Sequence, residues 1–356
     1  MQFSLYGNDH DPNPDIESIR RKLRRRIIGD DIEALAGPYD YLQTYIRHSG
    51  VRFSGKYECP EEYSASPLFE QELYPESFRS YIDNGEYERY CMQVGKLHAE
   101  NFKHPGIIPV LIGVDHAVTG GVLDAVQADF KDLKLVIFDA HFDGYSPAVR
   151  NALVGYARET FTAGANFEAA HQFEYFDEGF IGGYDTGSFL FFLMQRGVLK
   201  PENIIIFGVR DLPDDSLRDD PDMRLRMYFE EYDAFVSKGG RIYSADMLAK
   251  SNNEILSLML KGALENENVY LSIDADVFSG LLGGLTRYGD GDGINFQKFF
   301  DILTTIDVSS NKVIGLDLME LDITKWDNEI DPADICIEVQ ELLSDLINII
   351  DAEDTS

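Results

Sequence analysis

The sequence predicts an α/β protein built on a parallel sheet with helices over both faces, and three observations carry that prediction. From about residue 108, short apolar runs rich in β-branched residues alternate with longer amphipathic stretches. The runs are nearly continuous in apolar residues, as strands buried on both faces are, where a half-exposed strand would alternate with period two. Strand and helix taken in turn imply parallel pairing through crossover helices.

In chain order the predicted strands are "IIPVLIGV" from Ile107, "LKLVIF" from Leu133, "NIIIFGV" from Asn203, "GGRIYSA" from Gly239, "NVYLSI" from Asn268 and "NKVIGLDLM" from Asn311. Helical stretches fall between them: "TGGVLDAVQADF", "GSFLFFLMQRGV", "RLRMYFEEYDAFVSKG", "NEILSLMLKGALE" and "NFQKFFDILTTI", with "DICIEVQELLSDLINII" closing the chain. The first hundred residues are polar and rich in tyrosine and glutamate, and they hold turn-forming stretches such as "HDPNPD" and "YECPEEYSASP". They read as an elaborated edge of one domain spanning 1–356. Residues 146–184, glycine-rich and aromatic without a clear period, read as a long loop or insertion near the ligand end.

A chain of 356 residues with 44% hydrophobic composition buries a sizeable core. Its formal net charge of -32 disfavours nucleic acid and anionic membrane as partners, because like charge repels phosphates, and favours metal ions or small cations. Simple solubility in a salty cytoplasm explains the charge equally well. The basic block "RRKLRRR", Arg20 to Arg26, reads as an exposed helix start paired with nearby acids. Three widely spaced cysteines without a C-x-x-C pair argue against a disulfide framework or a thiolate zinc site, and fit a reducing cytoplasm. No apolar run is long enough to span a bilayer, and no secretory leader opens the chain.

Ligands of open parallel sheets bind outside the carboxyl ends of the strands. Those ends carry Asp115 and His116, then Asp139, His141 and Asp143, then Asp274 and Asp276, and then Glu320. Asp139, His141 and Asp143 occupy every second position, so on an extended chain they share one face. Asp115 reads as a cap for the following helix. The remaining inner set, His116, Asp139, His141, Asp143, Asp274 and Asp276, is two imidazoles and four carboxylates with no thiolate. That set suits manganese first, with iron, cobalt, nickel or zinc also admissible. It is larger than one catalytic ion needs while keeping an open position, so it points to two Mn2+ with bridging carboxylates. The cluster then stays anionic once a hydroxide bridges, which attracts a cationic substrate.

These residues carry a resemblance to the ureohydrolase superfamily of arginase, agmatinase, guanidinobutyrase and formimidoylglutamase. Its motifs G-G-D-H, D-A-H-x-D and S-x-D-x-D-x-x-D-P are matched by "GVDH" at 113–116, "DAHFD" at 139–143 and "SIDADVFSG" at 272–280. Further matches are "FGVRD" at 207–211, "GGLT" at 283–286 and "GLDLMELD" at 315–322, so the resemblance covers about residues 108–350. It implies a three-layer α/β/α arginase-like fold with a mostly parallel sheet of about eight strands, usually assembled into trimers or hexamers. It also implies hydrolysis of a guanidino or amidine compound to urea and an amine at a binuclear manganese centre. In that reading Asp143 takes the proton of the attacking water and Glu320 receives the guanidinium or amidine group.

The sequence departs from the family pattern in three places. Val114 replaces the second glycine of G-G-D-H, and the closing D-P of the third motif is absent; neither change removes a ligand. The family histidine of an H-G-T-like segment corresponds to Thr186, whose hydroxyl relays a proton but holds none in reserve near neutral pH. His171 is a stand-in for it, or a surface histidine. Arg150 and Asn151 in "SPAVRN" are candidates to hold a substrate carboxylate, and Asp185 in "GGYDTGS" to hold an amino group, with surface pairing and turn formation as the plain alternatives. Two rival functions stay open: a homologue that keeps the metals with weak or no turnover, and a single-zinc deacetylase-type amide hydrolase.

Overall fold

The computed structural model describes residues 1–15, 18–20, 37–63, 73–162, 181–264, 267–284, 286, 293–308, 311–321 and 332–351. His171 and Arg21 to Arg26 lie outside them. Eight strands form one sheet: β1 Gln2–Asn8, β2 Val51–Lys56, β3 Ile107–Gly113, β4 Lys134–Phe138, β5 Ile204–Val209, β6 Arg241–Ser244, β7 Asn268–Asp274 and β8 Lys312–Met319. Their order is β2-β1-β3-β8-β7-β4-β5-β6 and every pair is parallel. Six of these strands stand where the apolar runs predicted them. The other two come from the first hundred residues and form one edge of the sheet. β1 escapes detection because its run, "QFSLYGN", is broken by polar residues that the edge accommodates: Ser4 is buried and shares a hydrogen bond of 2.6 Å with Ser54.

Alternation along each strand sends side chains to two separate cores. Val110, Ile112, Val136, Phe138, Leu316 and Leu318 point to one; Leu111, Leu135, Ile137, Ile204 and Ile206 point to the other. The first is covered by α1 (Pro38–Tyr45), α9 (Asn253–Leu260), α11 (Phe296–Thr305) and α12 (Pro332–Ile350). The second is covered by α2 (Pro75–Asp83), α3 (Glu86–Ala99), α4 (Ala117–Val126), α5 (Pro147–Thr162), α6 (Phe189–Gln195) and α7 (Met223–Ser237). Two short helices, α8 (Ala245–Lys250) and α10 (Leu281–Gly284), complete the first face. In α12 the buried Ile335, Val339, Leu342 and Leu346 recur at helical spacing, so one stripe faces the sheet. Burying each such side chain contributes about 1.5–3 kcal/mol.

Within 146–184, read as a long loop or insertion, helix α5 replaces loop over Pro147–Thr162, and residues 163–180 lie outside the described residues. Ser146 accepts a hydrogen bond from Val149 N at 3.2 Å, and Pro147 occupies the first helical position. That Ser-Pro pair is an N-terminal signal in its own right, masked in the sequence by the irregular stretch after it. Ser146 is in turn anchored by Glu231 of α7, which accepts from both its backbone N (2.8 Å) and its hydroxyl (2.6 Å).

Helices α3 and α4 meet backbone to backbone. A Cβ on Gly121 would lie 2.0 Å from Cys91 O, and one on Gly95 would lie 2.0 Å from Gly121 O, so only glycine permits this approach. The contact fixes α4, and with it His116, which stands at the start of α4.

Also on α3, His98 is fully buried against Tyr6, Tyr57 and Phe102; its Nδ1 pairs with Tyr57 OH at 2.8 Å and its Nε2 has no partner. Burial pushes its pKa down to about 3. The unfolded chain therefore takes up a proton below about pH 6.5 that the folded chain refuses, and stability falls as pH drops from there toward the folded pKa, by about 1.4 kcal/mol per pH unit. Urea unfolding at pH 7 and pH 5 should show a loss about 2 kcal/mol larger in the wild type than in His98→Phe; equal losses in the two proteins would show that His98 does not drive the pH dependence.

Candidate metal centre

The candidate ligands come from the carboxyl ends of β3, β7 and β4, and Glu320 follows β8, so the site gathers four contiguous strands in the middle of the sheet. Asp115, after β3, accepts from the N–H of Ala117, the first residue of α4 (3.0 Å), and from Tyr87 OH (2.6 Å), while the cap position itself is taken by His116. This leaves His116 at the head of α4 facing the strand ends.

The second motif converges by a route different from the expected one. β4 ends at Phe138; Asp139 N still reaches Phe207 O at 2.9 Å, and the chain then leaves the sheet. Asp139 to Asp143 therefore do not form an extended strand with one shared face. Asp139 Oδ1 accepts from His141 N at 2.7 Å, turning the chain, and Asp143 adopts a left-handed conformation with φ 50. On β7, Asp274 accepts from Asp276 N at 2.9 Å, and Asp276 accepts from Ala140 N at 3.1 Å, which ties the two ligand loops together. Behind them Gly208, φ 102, lets Val277 approach to within 2.2 Å of where a Cβ would stand.

The result brings all six predicted ligands into one cluster. His116 Nδ1 lies 3.1 Å from Asp139 Oδ2, 3.2 Å from Asp274 Oδ2 and 3.5 Å from Asp143 Oδ2. His141 Nδ1 lies 2.9 Å from Asp276 Oδ2 and 3.7 Å from Asp139 Oδ1. Two groups, His116 with Asp139 and Asp274, and His141 with Asp139 and Asp276, each hold their ligand atoms within 4.8 Å of one another. Asp139 belongs to both and turns one oxygen to each histidine.

These residues fit a divalent metal on their own terms. His116 Nδ1 and Asp276 Oδ2 are buried without a hydrogen bond, an arrangement that is costly unless something else satisfies them. Burial and the adjacent charges of Asp143 and Asp274 raise the pKa of Asp139 well above the carboxylate range. Burial would lower the His116 pKa, but the carboxylates around it raise it well above the usual imidazole value. The same opposition, with Asp276 as the main partner, raises His141. A cation in the cluster replaces those protons, so metal uptake and proton release are linked.

Several functional residues carried no role in the sequence reading. His116 Nε2 pairs with Ser272 Oγ at 2.8 Å, and Ser272 donates to the buried Asp317 at 2.7 Å. Asp317 also accepts from Thr119 Oγ1 (2.7 Å) and Tyr270 OH (2.8 Å). A proton on Nε2 leaves the Nδ1 lone pair turned toward the carboxylates, which is how an outer partner orients a ligating histidine. The available signal was an aspartate inside the otherwise apolar strand "KVIGLDLM". Asp211, after β5, is buried beside His141, and burial raises its pKa to about 6.

Glu320, the residue after β8, is buried with φ 60, and its Oε1 accepts from His116 N (3.2 Å) and Thr186 Oγ1 (3.0 Å). Asp143 and Glu320 are two of the four non-glycine residues with positive φ among those described, the others being Asp132 and Asp307. Backbone strain thus falls on two candidate functional residues. Of the remaining substrate candidates, Arg150 Nη1 lies 2.6 Å from both oxygens of Asp185, so the two groups expected to hold opposite ends of a substrate hold each other. Asn151 Nδ2 donates to Ile181 O at 2.9 Å.

The sequence model of the arginase family matches residues 77–329. No curated protein matches the chain. Among solved structures, proclavaminate amidino hydrolase from Streptomyces clavuligerus superposes with a TM-score of 0.56 at 15% identity, over 98% of this chain and 91% of that one. Formimidoylglutamase from Bacillus subtilis gives 0.55 at 14%, over 98% and 88%. The agmatine ureohydrolase of Thermoplasma volcanium gives 0.53 at 15%, over 98% and 89%. These likenesses carry the three-layer α/β/α fold.

Ser272→Ala removes the partner of His116 Nε2 while Asp317 keeps its bonds to Thr119 and Tyr270. Divalent-metal affinity, measured by chelator competition, should fall about 10–100-fold with unchanged near-ultraviolet circular dichroism. Wild-type affinity in this variant would remove Ser272 from the metal-orienting chain.

Proposed function

The chain belongs to the arginase family, and from that membership we propose that it is a metal-dependent amidinohydrolase, cleaving a C–N bond of a guanidino or related compound to release urea and an amine. The observation that carries this reading is the pair of ligand groups sharing Asp139, with the Glu320 carboxylate hydrogen-bonded to the backbone of His116 beside them. The names of the structural neighbours, an amidino hydrolase, a formimidoylglutamase and a ureohydrolase, support an amidine-type carbon as the reacting centre.

Two Mn2+ ions, or other divalent ions such as Fe, Co, Ni or Zn, would be held by His116, Asp139, His141, Asp143, Asp274 and Asp276. When bound they supply Lewis acidity that makes water a competent nucleophile at neutral pH. The chain's own residues do the rest. Glu320 receives the planar cation and turns its carbon toward the ligand cluster. Asp143 accepts a proton as water adds to that carbon, and the proton passes to the departing nitrogen as the C–N bond breaks. Asp211, beside His141, adds negative charge at the site and favours a cationic substrate.

Thr186 supports a second reading, a metal-binding homologue with weak turnover, because no imidazole stands at the position that protonates the leaving group in the family. A single-zinc deacetylase is less well supported, since two ligand groups and Glu320 exceed what it needs.

No helix among the described residues is long and apolar enough to cross a membrane, and Cys59, Cys91 and Cys336 are free cysteines; the setting proposed is the cytoplasm. The resemblance to the ureohydrolases is what supports a homo-oligomer, trimer or hexamer; Ile255 and Leu258, exposed one turn apart on α9, are apolar side chains such a contact would cover. Light scattering that returned a monomer mass would remove that part of the proposal.

The function is tested by urea release from a panel of guanidino compounds by manganese-loaded protein. Asp139→Asn should lose metal and activity together. Glu320→Gln should keep its metal and lose activity about 100-fold or more, the scale of removing one charge-stabilising group. Metal lost in Glu320→Gln would make that residue a ligand, and two bound ions with no urea from any compound would favour the second reading.

A further inference from the structure

The turn that carries Thr186 is built around an ion pair for which the proposed reaction has no use. Arg150 on α5 is 8% exposed and Asp185 is 4% exposed. Asp185 accepts from Arg150 Nη1 on both oxygens at 2.6 Å and also from the Ser188 hydroxyl, while its own N donates to Ser188 Oγ at 3.3 Å. A Cβ on Gly187 would stand 2.5 Å from the guanidinium carbon, so the backbone of 185–188 lies directly on the cation. Burying such a pair adds little net stability, since an apolar pair of similar volume does as well, whereas its directional bonds specify one geometry. Here that geometry is of the loop between Asp185 and Ser188, and Thr186 reaches from it to Glu320.

Thr186 donates to Glu320 Oε1 at 3.0 Å, and the same oxygen accepts from His116 N at 3.2 Å. Two donors converging on one oxygen restrain the carboxylate. The β-branched side chain of threonine restricts χ1, so its hydroxyl is a stiff donor. We propose that Arg150, Asp185 and Thr186 form a positioning relay that holds the Glu320 carboxylate in one orientation before the cationic substrate arrives, and that Thr186 serves as a fixed hydrogen-bond donor in place of a proton-holding acid. The relay rests on the reading in which Glu320 receives the guanidinium or amidine group. Its consequence is a site that recognises its cation by pre-orientation, with ordering completed in the free protein.

The two roles for Thr186 separate kinetically. A positioning donor acts on the bound cation throughout the reaction, so its loss raises KM; a proton donor acts only as the C–N bond breaks, so its loss lowers kcat. The test uses manganese-loaded full chain and whichever of arginine, agmatine or 4-guanidinobutyrate the wild type hydrolyses fastest, with calorimetric binding of guanidinium chloride where it hydrolyses none. Thr186→Val should raise KM, or the dissociation constant, about tenfold with kcat within about threefold. Thr186→Ser, which restores the donor, should recover wild-type behaviour to within about threefold. Asp185→Asn leaves a buried cation unpaired and is expected to unfold, so the paired change Arg150→Met with Asp185→Leu is used: it should keep the thermal midpoint and metal content yet raise KM as Thr186→Val does.

A fall in kcat with KM unchanged in Thr186→Val would overturn the relay and restore Thr186 as a proton donor. Unchanged binding in Thr186→Val, where Glu320→Gln weakens it, would overturn the relay alone. If Glu320→Gln also leaves binding unchanged, the role of Glu320 falls and the relay falls with it.

Discussion

The constraint on which this structure depends is the burial of four carboxylates within a few ångströms of one another. Asp139, Asp143, Asp274 and Asp276 are each at most 8% exposed, and like charges so placed in a poorly hydrated interior repel strongly. The protein offsets this with directed partners. Backbone N–H groups of His141, Ala140 and Asp276 each donate to one of these acids, and the two imidazoles stand between them. What remains after those partners are counted is an excess of closely spaced carboxylate oxygens, which suits a divalent metal ion.

Much of the surrounding architecture serves that arrangement. The glycine contact between α3 and α4 seats the helix that begins at His116. Asp317, buried in a central strand, collects donors from Thr119, Tyr270 and Ser272, and Ser272 Oγ in turn accepts from His116 Nε2. The backbone accepts left-handed conformations at Asp143 and Glu320, where side chains must turn back over the strand ends. Such strain persists only where neighbouring contacts over-determine it. At Glu320 those contacts are His116 N and Thr186, and Leu321 N is held by Gly113 O at 3.2 Å.

How much of this was legible varied with how local the cause is. Five of the six strands from β3 to β8 were readable because continuous apolar runs follow from burial on both faces, β6 being the far edge strand with its side chains only partly covered, and the candidate ligands because acids and histidines directly after such runs are chemically conspicuous. β1 was not readable, since Gln2, Ser4 and Asn8 interrupt its pattern, and Ser4 and Asn8 find their partners, Ser54 and Tyr90, only in the folded protein. Helix α5 was hidden by the irregular residues beyond it, although Ser146 and Pro147 mark its start. The convergence of Asp139, His141 and Asp143 was right in outcome and different in cause, because a turn accepted by Asp139 replaces the extended chain.

The sequence by itself determined an α/β fold with a parallel sheet, six candidate ligands at strand ends, and membership of a ureohydrolase lineage, because these rest on local periodicity and on residue chemistry. The tertiary structure alone decided which strand ends are neighbours. The order β3-β8-β7-β4 draws together residues up to 204 positions apart, such as His116 and Glu320. It also decided that Arg150 and Asp185 face each other within the protein interior and that Thr186 points at Glu320. Strand order and side-chain pairing are set by packing between distant segments, and no pattern along a single segment records which partner it will meet.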